Sequence, residues 1–209
     1  MKKPIRIHHI ALLFMIFFSA CSVFQWEKNA VKNGIHFTKV RQADASGVFI
    51  GLTDRNISYD GYEVVKGWMH FHPNWKLKAF QTARPVHVGV NILPAHTWLF
   101  PDSLGIITSC VLPEDQEIQG ILCLGGGGIS GIYAGFYPSG KLKGCYPVHN
   151  IEIDGVPCSN SLLFPVCLYE DGHLKSCKLS ASFSQNNKTF KKGDCIEIDQ
   201  VGTVRKMAK

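Results

Sequence analysis

The sequence has no apolar run that spans a bilayer comfortably. Its longest, Ile10 to Ala20, is 11 residues and as a helix covers only about half of a ~30 Å hydrocarbon core at about 1.5 Å per residue. Charge is also sparse, at 18%, and no Lys/Arg cluster with interleaved aromatics stands out beyond the short Lys188, Lys191, Lys192 group. The formal charge of +6 weakens once Lys2, Lys3 and Arg6 are set aside, leaving 19 basic against 16 acidic residues. That balance argues against nucleic acid as a partner. No 3.6-residue apolar period occurs after Cys21, which argues against a helical body. There is no Cys-x-x-Cys, so a structural zinc site is poorly supported. No His lies at a spacing from a nucleophile or carboxylate that would identify a triad or dyad. What the sequence does have is turn formers and apolar residues: 20 Gly and 10 Pro with 45% hydrophobic residues. Such a chain folds and turns often, which points to β structure.

The first twenty-one residues have the layout of an export signal. Positive charge in Met1 to His9 precedes the apolar run, which ends in the small residues Ser19 and Ala20 before Cys21. Phe18-Ser19-Ala20-Cys21 resembles the lipobox of bacterial lipoproteins, with Phe18 where Leu is usual. The resemblance implies cleavage before Cys21, acylation of that residue and attachment to a membrane. Each buried CH₂ contributes about 0.8 kcal/mol, so a multiply acylated cysteine holds far more firmly than a single myristoyl chain. Ser22, standing where an Asp would favour inner-membrane retention, implies the outer membrane.

Residues 21–66 read as a tether and a first hairpin region, and residues 67–209 as a β-repeat domain. Glu117-Ile-Gln-Gly-Ile-Leu-Cys123 matches Glu152-Ile-Asp-Gly-Val-Pro-Cys158, and each match ends thirteen positions after another cysteine, Cys110 and Cys145. Aligned on that cysteine, Phe80, Cys110, Cys145 and Cys177 share one position, with Leu93, Cys123, Cys158 and Phe190 thirteen later. Four repeats of 30 to 35 residues emerge, each with short β-type runs separated by turn residues. Leu77, Ile107, Leu142 and Leu174 stand three before the anchor; Gly105, Gly140 and Gly172 stand five before it, with Trp75 in the glycine's place in the first repeat. Stacked antiparallel hairpins in an elongated meander or solenoid-like sheet are therefore expected. Strict alternation puts Leu142 and Cys145 on opposite faces although both look inward, which requires a bulge or a later strand start.

Phe136-Tyr-Pro-Ser-Gly-Lys-Leu-Lys and Leu168-Tyr-Glu-Asp-Gly-His-Leu-Lys resemble the hairpins of MORN-type repeats over about half of each unit, without their regular Gly-x-Gly steps. That resemblance implies a scaffold or binding surface rather than catalysis. The partners it leaves open are the membrane itself, through the anchor, and an envelope protein or glycan. The runner-up is an all-β hydrolase or metal-dependent enzyme of the envelope, which requires a pocket where a His converges with a carboxylate or Cys.

Apart from Cys21 there are seven cysteines, an odd number. Cys110 with Cys123 and Cys145 with Cys158 are candidate disulfides, because thirteen residues suit neighbouring strands of a hairpin. The alternative is that all four are buried thiols, since Phe80, Leu93 and Phe190 treat the same positions as apolar slots. His70 and His72 share one face of a strand, a geometry open to metal, but His72 aligns with Tyr137 and Tyr169 and reads as an aromatic platform before a turn. His87, His96, His149 and His173 are scattered. Gly126 to Gly131 satisfies Gly-x-Gly-x-x-Gly, yet a strand-like segment comes after it where a nucleotide site needs a helix, so it reads as an insertion between repeats. No cofactor and no metal are expected.

Overall fold

The computed structural model describes residues 25–126 and 132–207, and across them every regular element is a β-strand. The expected signal segment 1–20 and the expected lipidation residue Cys21 lie outside the described residues, as does most of Gly126–Gly131. Thirteen strands form one sheet in which spatial order is the same as chain order. These are Glu27–Lys32, Ile35–Gln42, Phe49–Thr53, Gly67–Phe71, Leu77–Gln81, Trp98–Pro101, Ile107–Val111, Ala134–Phe136, Leu142–Cys145, Val166–Leu168, Leu174–Lys178, Cys195–Ile198 and Val204–Lys206. At about 4.8 Å per strand the sheet extends about 58 Å, the elongated antiparallel meander expected from the repeat.

Five two-stranded hairpins hang from this sheet, one at every second strand: Ile57–Val64, Val86–Leu93, Gln116–Cys123, Ile151–Cys158 and Phe183–Phe190. Their turns explain the strongest sequence match. Asp60-Gly61, Gln119-Gly120, Asp154-Gly155 and Asn186-Asn187 all have positive φ at both residues, the twist that two-residue hairpin loops require. The hairpins cover one face of the sheet, so Val64, Leu93, Cys123, Cys158 and Phe190 are buried with Leu77, Phe80, Cys110, Leu142, Cys145, Leu174 and Cys177 in a single core.

The inward placement of both Leu142 and Cys145 is resolved by a bulge. Phe136 faces Leu142 while Gly135 faces Gly144, leaving Lys143 unpaired. The same shift recurs at Lys78, Thr108 and Lys175. A bulge inserts one residue and so reverses the alternation beyond it, which lets a Leu-x-x-Cys spacing point both ends into the core.

The repeat also begins earlier than the expected boundary at Gly67. Phe49–Thr53 pairs with Gly67–Phe71 over five positions, and the hairpin ending at Val64 occupies the place of those ending at Leu93 and Cys123. Thirteen residues before Val64 stands Gly51, so the first unit has no side chain at the anchor. The Phe37 ring fills that space and would collide with any Cβ there, which is why alignment on cysteine and phenylalanine misses this unit. Trp75 likewise holds the turn position glycine takes elsewhere, at φ 64°. A non-glycine residue in that region costs about 1–2 kcal/mol, offset here by packing against Phe49 at 4.5 Å and Phe71 at 5.4 Å between ring centroids.

Candidate functional site

The aromatic that opens each turn ties one unit to the next. The Tyr137 hydroxyl donates to the Leu168 carbonyl at 2.9 Å and that of Tyr169 to the Ile198 carbonyl at 2.8 Å. His72 does the same work, its Nε2 lying 3.1 Å from the Pro101 carbonyl oxygen. The bulged lysines Lys143 and Lys175 lie over the Tyr137 and Tyr169 rings at 5.7 and 5.6 Å. The motif aromatic-x-x-Gly-x-Leu-Lys thus encodes a clamp, an inward leucine and a bulge lysine. His72 is thus committed to this join through its Nε2. Among the described residues no group of three or more His, Cys, Asp or Glu is placed to hold a metal ion.

Among the described residues the sheet face away from the hairpins is open, and its two ends differ. At the N-terminal end, Lys28, Lys39, Leu52 and Trp68 stand side by side across successive strands, with Arg41, Ile50 and His70 in a second row. Trp26 and Trp68 contact each other at 5.5 Å while remaining 40% and 41% exposed. The Lys39 ammonium lies over both rings, at 5.2 and 4.9 Å, and the Arg41 guanidinium over Trp26 at 4.9 Å. Cation–π attraction holds these charges on the aromatic faces. Strands Ile35–Gln42, Phe49–Thr53, Gly67–Phe71 and Leu77–Gln81 contain no acidic residue. Residues 22–82 carry 8 basic and 5 acidic residues, whereas residues 83–209 carry 11 of each, so the excess positive charge past the signal segment belongs to this end. Burial, then the nearby Lys78 charge, lowers the pKa of His70 below the ordinary 6.5, so the imidazole is neutral among the fixed cations.

Toward the C-terminal end the row narrows to small side chains, running Phe100, Ser109, Gly135, Gly144, Cys167, Ser176 from strand to strand. Without side chains at Gly135 and Gly144 the face sinks into a groove of about 380 Å³, walled by Tyr133, Lys143 and Pro165. A second cleft, about 340 Å³, opens between the last turns and is lined by Asp154, Tyr169, Asp171, His173 and Asp199. His173 Nδ1 sits 3.2 Å from Asp154 Oδ1; of His87, His96, His149 and His173, it alone meets a carboxylate in a cleft among the described residues. The polar groups around it are committed to holding turns: Asp154 accepts from the Leu174 amide at 2.7 Å, Asp171 from the His173 amide at 3.1 Å, and Asp199 from the Val201 and Thr203 amides at 3.1 and 2.8 Å. Among the described residues no serine or cysteine lines this cleft.

All seven described cysteines are free thiols, and Cys110, Cys123, Cys145, Cys158 and Cys177 are buried. Their closest associations run between units. The Cys123 thiol meets that of Cys145, and the Cys158 thiol meets that of Cys177. Cys145 and Cys158, expected as neighbours across one hairpin, occupy a main-sheet strand facing Val166 and a side hairpin facing Ile151. Burial pushes the Cys110 thiol up to about 12. The Cys145 contact, then burial, raises Cys123, and the Cys177 contact, then burial, raises Cys158. All three are therefore neutral and poor nucleophiles at neutral pH.

No family model, curated protein or solved structure matches the chain.

Proposed function

We propose that the protein is a membrane-anchored envelope lipoprotein, held by an acylated Cys21, whose β-sheet is a non-enzymatic scaffold and binding surface. The observation that carries this reading is the Trp26, Lys39, Arg41, Trp68 cluster, which begins five residues along the chain from Cys21. Five extended residues reach about 17 Å, so an anchor at Cys21 keeps this cluster within reach of the lipid headgroups. Tryptophan suits that layer because its ring is apolar and its N–H is polar. Lys39 and Arg41 add attraction to anionic lipid, about 1 kcal/mol for each basic group at the surface. A multiply acylated Cys21 holds the chain on its own; the cluster would set how the sheet meets the headgroups beside it. The remaining outer face, with its groove at Gly135 and Gly144, is then held off the bilayer for an envelope protein or glycan.

The test uses the chain from Ser22 onward, which has neither the signal segment nor an acyl group, with vesicles of phosphatidylglycerol or of phosphatidylcholine. Binding to the first and not the second, lost at high salt and on Lys39→Glu with Arg41→Glu, supports the reading. Equal binding to both vesicles, or binding that the double charge reversal leaves intact, contradicts it.

A further inference from the structure

Three joins between successive units share one hydrogen-bonding pattern. At each, the last residue of a side hairpin faces a residue just past the next unit's anchor strand: Val64 with Thr82, Cys123 with Pro147, and Cys158 with Leu179. Leu124 N donates to the Tyr146 carbonyl at 2.7 Å and Val148 N to Leu122 at 3.0 Å, while Ser159 N donates to Lys178 at 2.7 Å and Ser180 N to Pro157 at 2.9 Å. These bonds flank the facing residues without using their own amides, so Pro147 fits although it has no N–H. The residue two positions before each facing partner projects from the same side of its strand. Those residues are Phe80, Cys145 and Cys177.

The join therefore sets Val64 beside Phe80, Cys123 beside Cys145, and Cys158 beside Cys177. At the first join a bulky ring and a branched side chain fill the slot. At the other two, pairs of thiols fill it, and the four sulfurs belong to buried residues. We infer that Cys123 with Cys145, and Cys158 with Cys177, are disulfide-forming pairs that staple each side hairpin to the next unit. This rests on the export reading for its oxidant, a disulfide carried by an envelope thiol oxidase or by glutathione. In each pair one thiolate attacks the incoming disulfide, forming a mixed disulfide and releasing one thiol of the oxidant. The second cysteine, losing its proton, then displaces the other sulfur. The pair gives up two electrons and two protons, and the oxidant leaves as two thiols. Formation precedes final packing, because the folded core shuts water and oxidant away from the sulfurs.

This pairing is separable from the in-repeat pairing by digestion. Trypsin cuts after Lys78, Lys141, Lys143, Lys175 and Lys178, Arg84 being followed by Pro85. Cys110 and Cys123 thus share peptide 79–141, Cys145, Cys158 and Cys167 share 144–175, and Cys177 lies in 176–178. The full chain is isolated from envelopes, alkylated without reduction and digested. All three peptides should travel as one linked species that separates on reduction, with Cys145→Ser or Cys123→Ser releasing only 79–141 and Cys158→Ser releasing only 176–178. Peptides 79–141 and 144–175 each carrying an internal bridge overturn the inference, as do fully alkylated cysteines in protein that carries lipid at Cys21. If the chain is not lipidated, the export reading fails on its own, and the pairing is read from Cys21→Ala protein refolded in mixed oxidised and reduced glutathione. The same linked species upholds the inference there, and in-repeat bridges or free thiols overturn it.

Discussion

Gly140→Ala should destabilise the protein far more than the same change at Gly172, although both hold the same position in successive units. Gly140 has φ +80° and Gly172 φ +95°, so each substitution forces alanine into the left-handed region at about 1–2 kcal/mol. At Gly172 a Cβ meets nothing within 4 Å, and that cost is the whole effect. At Gly140 the Cβ would lie 2.5 Å from Gly89 Cα, 2.6 Å from Gly89 N and 2.9 Å from Val88 C, all backbone that cannot swing aside. Relieving the overlap moves hairpin Val86–Leu93 away from the turn. That separation strains the bond from Asn91 Nδ2 to the Gly140 carbonyl at 2.7 Å and loosens Gln119, whose Oε1 accepts from the Leu142 amide at 3.3 Å. At about 1 kcal/mol for each hydrogen bond, the total for Gly140→Ala is roughly 3–4 kcal/mol. Urea unfolding monitored by circular dichroism measures both variants against wild type, read from the midpoint at constant slope. Equal losses for the two would refute the close backbone approach between units.

Trp75→Gly should be less harmful than Trp75→Ala by about 1 kcal/mol although it removes more of the side chain, because only glycine is free of strain at φ 64°; a more stable alanine variant in the same titration would deny that the turn needs positive φ. Tyr137→Phe and Tyr169→Phe each delete one hydroxyl bond to the next unit and should each cost about 1 kcal/mol, so unchanged unfolding midpoints would show that these hydroxyls clamp nothing. His70 is lowered from 6.5 in the folded chain, so the unfolded chain binds the proton more readily. Its stabilising contribution is complete above 6.5 and is lost as pH falls below that value toward the folded pKa. His70→Gln should flatten this part of the stability profile, and an unchanged profile would assign the dependence to another group.

The period of the fold is legible in the sequence because each unit repeats its turn chemistry. Tyr-x-x-Gly-x-Leu-Lys names the clamp and the turn, and Asp154-Gly155 names the hairpin loop. The first unit is hidden because its anchor is Gly51, which reads as empty until Phe37 is seen filling the space from another strand. The cysteine neighbours mislead for a similar reason. A spacing of thirteen suggests a simple hairpin, but the segment between holds both a sheet strand's end and a side hairpin, so the second cysteine faces the next unit. The Trp26 and Trp68 cluster leaves no trace in the sequence because its members are 42 residues apart and meet only through the register of four strands. Lys39 carries no signal alone.

Attachment through Cys21 is decided by the incorporation of labelled fatty acid into the full chain beside Cys21→Ala in a bacterial host, with envelope fractionation of both. Label should appear in the wild-type chain and in the membrane fraction, with no label and an unprocessed precursor for the variant. Equal label in both chains, or an unlabelled wild-type chain in the soluble fraction, would contradict the anchor.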